Sequence, residues 1–112
     1  MTGVLTCALP ISWLPQPADW KNLTVESQLH DQNSMLSLYR SGLKLRRALL
    51  GDGALTWLDS PADVLTFRRE NLTCIVNLSA DPIDLPPYDE LLISSVPLDA
   101  GRLPSDATAW VR

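Results

Sequence analysis

Apolar positions between residues 34 and 50 recur at helical spacing. Met35, Leu36, Leu38, Tyr39, Leu43, Leu45, Leu49 and Leu50 form a broad apolar face with the three-to-four period of an amphipathic helix. Ser34 stands where a helix cap belongs, with Asn33 as the alternative. Lys44, Arg46 and Arg47 gather near the other end, where cations complement the helix dipole. Gly51 and Gly53 stop the helix, Gly51 at the position just past its last residue. A helix of this length is marginal in water by propensity alone, so the pattern predicts a large surface for it to lie on.

From Gly53 onward the period shortens to two. Ala54 to Leu58 predicts a short strand before the turn Asp59-Ser60-Pro61. In Val64 to Arg68, Leu65 and Phe67 alternate against Val64, Thr66 and Arg68. Arg69-Glu70-Asn71 predicts a hairpin loop, followed by a strand from Leu72 to Leu78. Asp81-Pro82 and Pro86-Pro87 read as a break, Glu90 to Ser95 as a strand, Gly101 to Asp106 as loop and Ala107 to Val111 as a last strand. The fold class is therefore α+β: one long helix, then a small antiparallel β-sandwich. A free-standing β-domain of roughly 60 residues buries only about 60% of its unfolded surface, so it needs the helix or another body as support.

Residues 13 to 33 predict a long loop, because Pro15 and Pro17 remove backbone donors and disfavour helix. A loop of that length is commonly functional or laid across another surface. Thr2 to Ser12 resembles a peptide that recurs when sequencing-adapter DNA is translated at the broken end of a gene. The other reading of this stretch is a short apolar strand closed by Pro10. The expected organisation is a non-native segment 1–12, a loop and helix over 13–51, and a β-domain over 53–112.

The chain has 112 residues and a net charge of -4, with no basic footprint for nucleic acid. No apolar run approaches the roughly 20 residues that span a bilayer. Met1 to Ile11 lacks the basic start of a secretory signal. Two cysteines, Cys7 and Cys74, are too few for a disulfide framework, and a reducing, cytoplasmic compartment is the simpler expectation. Asn-x-Ser/Thr triplets begin at Asn22, Asn71 and Asn77, and chance is the expected origin of the one inside a strand.

Candidate chemistry is thin. His30 is the only histidine and lies in a polar loop, so no nucleophile–base pair can be assembled around it. Cys74, flanked by apolar strand residues, predicts a buried thiol. The acidic residues fall mostly in turns, where carboxylates bond the local backbone and lack the burial that makes a general acid. No metal or cofactor is expected. Of the tryptophans, Trp57 and Trp110 fall in strands and predict packing, whereas Trp13 and Trp20 suit a ligand-facing role.

Trp13-Leu14-Pro15-Gln16-Pro17, then Leu23-Thr24-Val25-Glu26, Gln28, Asp31, Ser34-Met35-Leu36, Tyr39-Arg40 and Leu43-x-Leu45-Arg46 carry a further signal. This series resembles the end of the catalytic barrel in glycoside hydrolase family 13 α-glucosidases and oligo-1,6-glucosidases. Asp63 to Arg69 and Cys74 to Ser79 are similar to two strands of that family's C-terminal domain. The resemblance implies that residues 34 to 50 are the last helix of a (β/α)8 TIM barrel and that the β-domain is appended behind it. It places the preceding loop at the active-site face, with Trp13, Gln16 and Trp20 as substrate-rim candidates. The family's nucleophile and acid/base carboxylates lie upstream, so no position here inherits a catalytic role. The implied partners are the missing barrel and, for the full-length parent, an α-glucoside. A stand-alone carbohydrate-binding β-module and a small protein-interaction domain are the alternatives.

Overall fold

The computed structural model describes residues 14–112; the segment 1–12, Cys7 and Trp13 lie outside the described residues. Two compact units divide between Ser37 and Leu38.

In the first unit the expected plain loop carries structure. A 3-10 turn spans Ala18–Asn22 behind Pro17, whose φ of -54° already suits a helical start. A short helix, α1, covers Val25–Gln28. Thr24 caps it: the Ser27 amide donates to Thr24 Oγ1 at 3.2 Å, and Ser27 Oγ donates to the Lys21 carbonyl at 2.8 Å. The two prolines blocked a long helix but left room for one-turn pieces.

The long helix, α2, runs Met35–Leu49, one residue inside the predicted limits at each end. Ser34 is its cap, accepting from the Ser37 amide at 3.2 Å. Along the second unit's part of α2, Leu38, Gly42, Leu45 and Leu49 are half-buried. Tyr39 and Leu43 stay exposed, at 65% and 57%.

The strands are β1 Leu55–Leu58, β2 Val64–Arg69, β3 Leu72–Asn77, β4 Ile83–Asp84, β5 Leu91–Ser94, β6 Arg102–Leu103 and β7 Ala107–Val111. Five form an antiparallel sheet in the order β1-β2-β3-β7-β5, while β4 and β6 pair as a two-stranded ribbon. The sandwich is thus lopsided. The Pro-rich break and the last loop each donate two residues to the ribbon, below the length that alternation can reveal.

Register assigns the sheet's faces. Trp57 pairs with Phe67, Phe67 with Cys74 and Cys74 with Trp110, which puts these side chains on one face. Thr66 pairs with Ile75 and Ile75 with Ala109 on the other. The second face holds the core: Val64, Ile75, Ala107, Ala109 and Val111, joined by Leu103 of the ribbon and by Ile83, Leu85, Leu91 and Leu98. The first face receives α2, whose backbone at Gly42 passes over the Trp110 indole. A Cβ there would meet the ring at 3.7 Å, an ordinary contact.

Asn77 ties ribbon to sheet. It is fully buried, yet every polar atom is satisfied. Its amide nitrogen donates to the carbonyls of Asp81, Leu103 and Pro104 at 2.9, 3.1 and 3.0 Å. Its Oδ1 accepts from the Ser79 amide and hydroxyl at 3.0 and 2.6 Å.

A second tie replaces the expected glycine cap. Gly51 does not adopt a left-handed φ. Instead the Gly51 and Gly53 amides donate to the Glu70 carboxylate at 2.7 and 3.1 Å, while Arg69 donates to the carbonyls of Gly53 and Gly51, both at 2.7 Å. Glu70 itself sits in the left-handed region, φ 55°, in the β2–β3 turn. Side chains are excluded by its approach: a Cβ at Gly53 would lie 2.5 Å from Glu70 Cγ.

Two outcomes follow from these ties. Asn77→Ala orphans several buried partners and is expected to lower stability by about 2–4 kcal/mol, measured by urea unfolding. The two glycine amides hold the Glu70 carboxyl below its ordinary 4.5. Its contribution is therefore present above pH 4.5 and fades as pH falls through the lowered folded value. Urea midpoints of wild type and Glu70→Gln should differ at pH 7 and converge as pH falls through the lowered folded value; a gap that persists once the carboxyl is protonated would refute this account.

Candidate functional site

Two of the three rim candidates come together. Gln16 and Trp20 line one surface depression of the first unit, with Pro17, Lys21, Leu23 and Thr24. Its volume is about 550 Å³. Trp20 is half exposed, presented by the 3-10 turn that Pro17 starts. Trp13 lies outside the described residues. The depression offers an indole, one amide side chain and one ammonium. Its lining holds no carboxylate, so it cannot supply an acid/base pair.

Polar residues around it are committed to architecture. Gln28 Nε2 donates to the Leu23 carbonyl at 2.6 Å, while its Oε1 accepts from the Leu36 amide at 2.9 Å. The Asp31 carbonyl accepts from the hydroxyls of Ser34 and Ser37 at 2.6 and 2.7 Å, and Asp31 Oδ1 accepts from the Asn33 amide at 2.9 Å. Gln28, Asp31 and Ser34 thus fasten the segment carrying Trp20 to the first turn of α2. The sequence showed these residues as a signature but gave no hint of this job, because their partners are backbone groups up to eight residues away.

The second unit contains a more apolar feature. A groove of about 340 Å³ opens between α2 and strands β5 and β7, lined by Leu38, Gly42, Leu43, Ile93, Thr108 and Trp110 among others. It has no acid or base poised for chemistry. The carboxylates sit in turns or on the surface, as expected. Asp63 and Asp106 occupy left-handed turn positions, φ 61° and 56°. Asp84 pairs with Arg102 at 3.4 Å and Glu90 with Arg112 at 2.7 Å, both pairs well exposed. Such pairs contribute little to stability.

Cys74 is buried beneath Trp110, and burial pushes its thiol up to about 11. It is therefore protonated and inert at neutral pH. His30 is exposed in the first unit. Among the described residues no group of three His, Cys, Asp or Glu side chains could hold a metal ion. Among them, too, no helix is long and apolar enough to cross a membrane. Trp57 departs from the expected packing role. It is 63% exposed and meets Phe67 edge-on, with ring centroids 5.3 Å apart. The sequence put Trp57 in a strand but could not tell that this part of the sheet is uncovered.

A capped helix is thus followed by a lopsided antiparallel β-domain. Residues 45–110 match the family described as "Domain of unknown function (DUF3459)". The chain belongs to that family, the C-terminal domain of α-amylase-family enzymes. A solved structure of an α-glucosyl transfer enzyme, XgtA, is 31% identical and superposes with a TM-score of 0.63. The match covers 89% of this chain but only 22% of XgtA. No curated protein matches the chain.

Proposed function

We propose that this chain is the terminal portion of an α-glucosidase-type enzyme of glycoside hydrolase family 13, comprising the last barrel helix and the β-domain behind it. The observation that carries the reading is the agreement with XgtA over 89% of the chain, reaching well beyond the matched family domain into α2 and the segment before it. The exposed apolar side chains of α2 support it: Tyr39 and Leu43 lie one helical turn apart on the rim of the groove beside β5 and β7 and remain largely exposed. In the parent, α2 would close the barrel, with one side on the β-domain and the other on barrel strands. Residues 1–12 would not belong to the native protein, and the buried, reduced Cys74 suits a cytoplasmic setting.

In this reading the parent hydrolyses α-glucosidic bonds with retention, using carboxylates that this chain lacks. The chain is structural and inactive alone. Incubating it with an aryl α-glucoside should give no product above the buffer rate, and steady turnover abolished by heating the sample would overturn the reading. The depression at Gln16 and Trp20 would form part of the substrate rim, the indole stacking on a pyranose ring. Titration with malto-oligosaccharides should change tryptophan emission in the wild type but not in Trp20→Ala. A response of equal size in both would remove Trp20 from the rim. Tight binding by the isolated chain would favour the carbohydrate-binding module instead.

A further inference from the structure

The sheet face that carries the core is only partly roofed. Ile83 and Leu103 of the β4–β6 ribbon pack on it. Beside them a groove of about 380 Å³ stays open, within the range of about 300–1,000 Å³ common to small-ligand sites. Its floor includes Thr66 and Arg68 of β2 and Thr73 and Ile75 of β3, which register pairs across the two strands. Its walls come from the Asp59 turn after β1, from Asp84, and from Pro86-Pro87-Tyr88.

One polar group in the floor lacks a protein partner. Thr66 is only 7% exposed. Among the described residues its hydroxyl makes no hydrogen bond, and no buried side-chain oxygen is sealed off unpaired, so Thr66 Oγ1 opens into the groove. A hydroxyl at that depth is normally bonded within the fold. The half-buried Thr73 hydroxyl is likewise without a partner among the described residues. Arg102 and Arg112 are each held by a carboxylate, whereas the Arg68 guanidinium has no ion pair there. Tyr88 adds an aromatic ring, 41% exposed.

The mixture of charges selects the ligand. Asp59 and Asp84 disfavour an anion, and Arg68 disfavours a cation. A purely apolar occupant would strip water from Thr66 and Arg68 without replacing its hydrogen bonds. What remains is a neutral ligand rich in both donors and acceptors, with an apolar face for the tyrosine ring. A pyranose has that form: C–H groups over the ring plane and hydroxyls around its edge. Arg68 would donate to those hydroxyls, the carboxylate of Asp59 would accept, and the two threonines can do either.

We propose that this groove is an accessory saccharide site that takes a short, neutral α-glucan segment, stacked on Tyr88 and hydrogen-bonded to Thr66, Thr73 and Arg68. The site holds a sugar chain and performs no chemistry. The choice of an α-glucan among saccharides rests on the proposed function; a groove for a neutral saccharide does not. The site is distinct from the depression at Trp20, which belongs to the other unit and shares no lining residue with it.

The test titrates maltotetraose into the full chain and follows backbone amide shifts by NMR. A weak, saturable response should concentrate at Thr66, Arg68, Thr73 and Tyr88. Tyr88→Ala should weaken it at least about fivefold. Thr66→Val, which keeps the β-branched shape of a strand residue, should weaken it about threefold. Trp20→Ala should leave it unchanged. No shift at these positions in the wild type, or an equal response in Tyr88→Ala, overturns the inference and leaves the proposed function standing. A response lost in Trp20→Ala assigns the sugar to the other depression and overturns the inference too. Binding of cellotetraose here without maltotetraose would overturn it and count against the α-glucosidase reading as well. A groove that answers to inorganic phosphate alone would be an anion site on Arg68, which again overturns the inference.

Discussion

Four hydrogen bonds between the β2–β3 turn and the two glycines after α2 govern where the helix ends and how its chain enters the sheet. Glu70 accepts from two amides while Arg69 donates to the carbonyls of the same two residues. The exchange satisfies backbone groups that a helix end would otherwise leave to water. It also explains a backbone conformation that would be costly in isolation, since Glu70 adopts a positive φ and is held there by its own carboxylate contacts. Glycine is required at Gly53 because of what approaches it, not because of how it turns.

The helix so fixed has two jobs. Leu38, Gly42, Leu45 and Leu49 lie half-buried, while Tyr39 and Leu43 stay exposed on the rim of the groove beside β5 and β7. A helix of an independent small domain has one apolar face and a polar back. This one has apolar character on both sides, as does the sheet face it covers only in part. The domain has a satisfied core around Ile75 and Asn77 and leaves apolar side chains of α2 and β1 exposed.

Much of this was legible in the sequence. The periodicity of Met35 to Leu50 fixed the helix to within a residue at each end, because propensity, cap and spacing agree there. The alternation in Val64 to Arg68 gave the faces of β2 correctly. What escaped was set by distant partners. Strands β4 and β6 are two residues each and exist only because they meet. The 3-10 turn and α1 lie in a stretch whose prolines argue for loop and only the hydroxyls of Thr24 and Ser27 argue otherwise. Trp57 was placed in the right strand, but exposure depends on what lies above a sheet face, and no local pattern encodes that. At the candidate site, Trp20 and Gln16 were picked as types and are neighbours in fact, whereas the bracing roles of Gln28 and Asp31 needed coordinates.

The burial of Asn77 bears on where such a chain can be made. Asn77-Leu78-Ser79 is an acceptor triplet for N-linked sugar, and the nitrogen that would carry the sugar is the one that reaches Asp81, Leu103 and Pro104. That modification is added to nascent chain, before a strand can shield its residues. Synthesis through a glycosylating membrane system would therefore place a bulky saccharide on the atom that joins ribbon to sheet, and the β-domain could not close around it. The same three residues are harmless wherever translation and glycosylation occur apart.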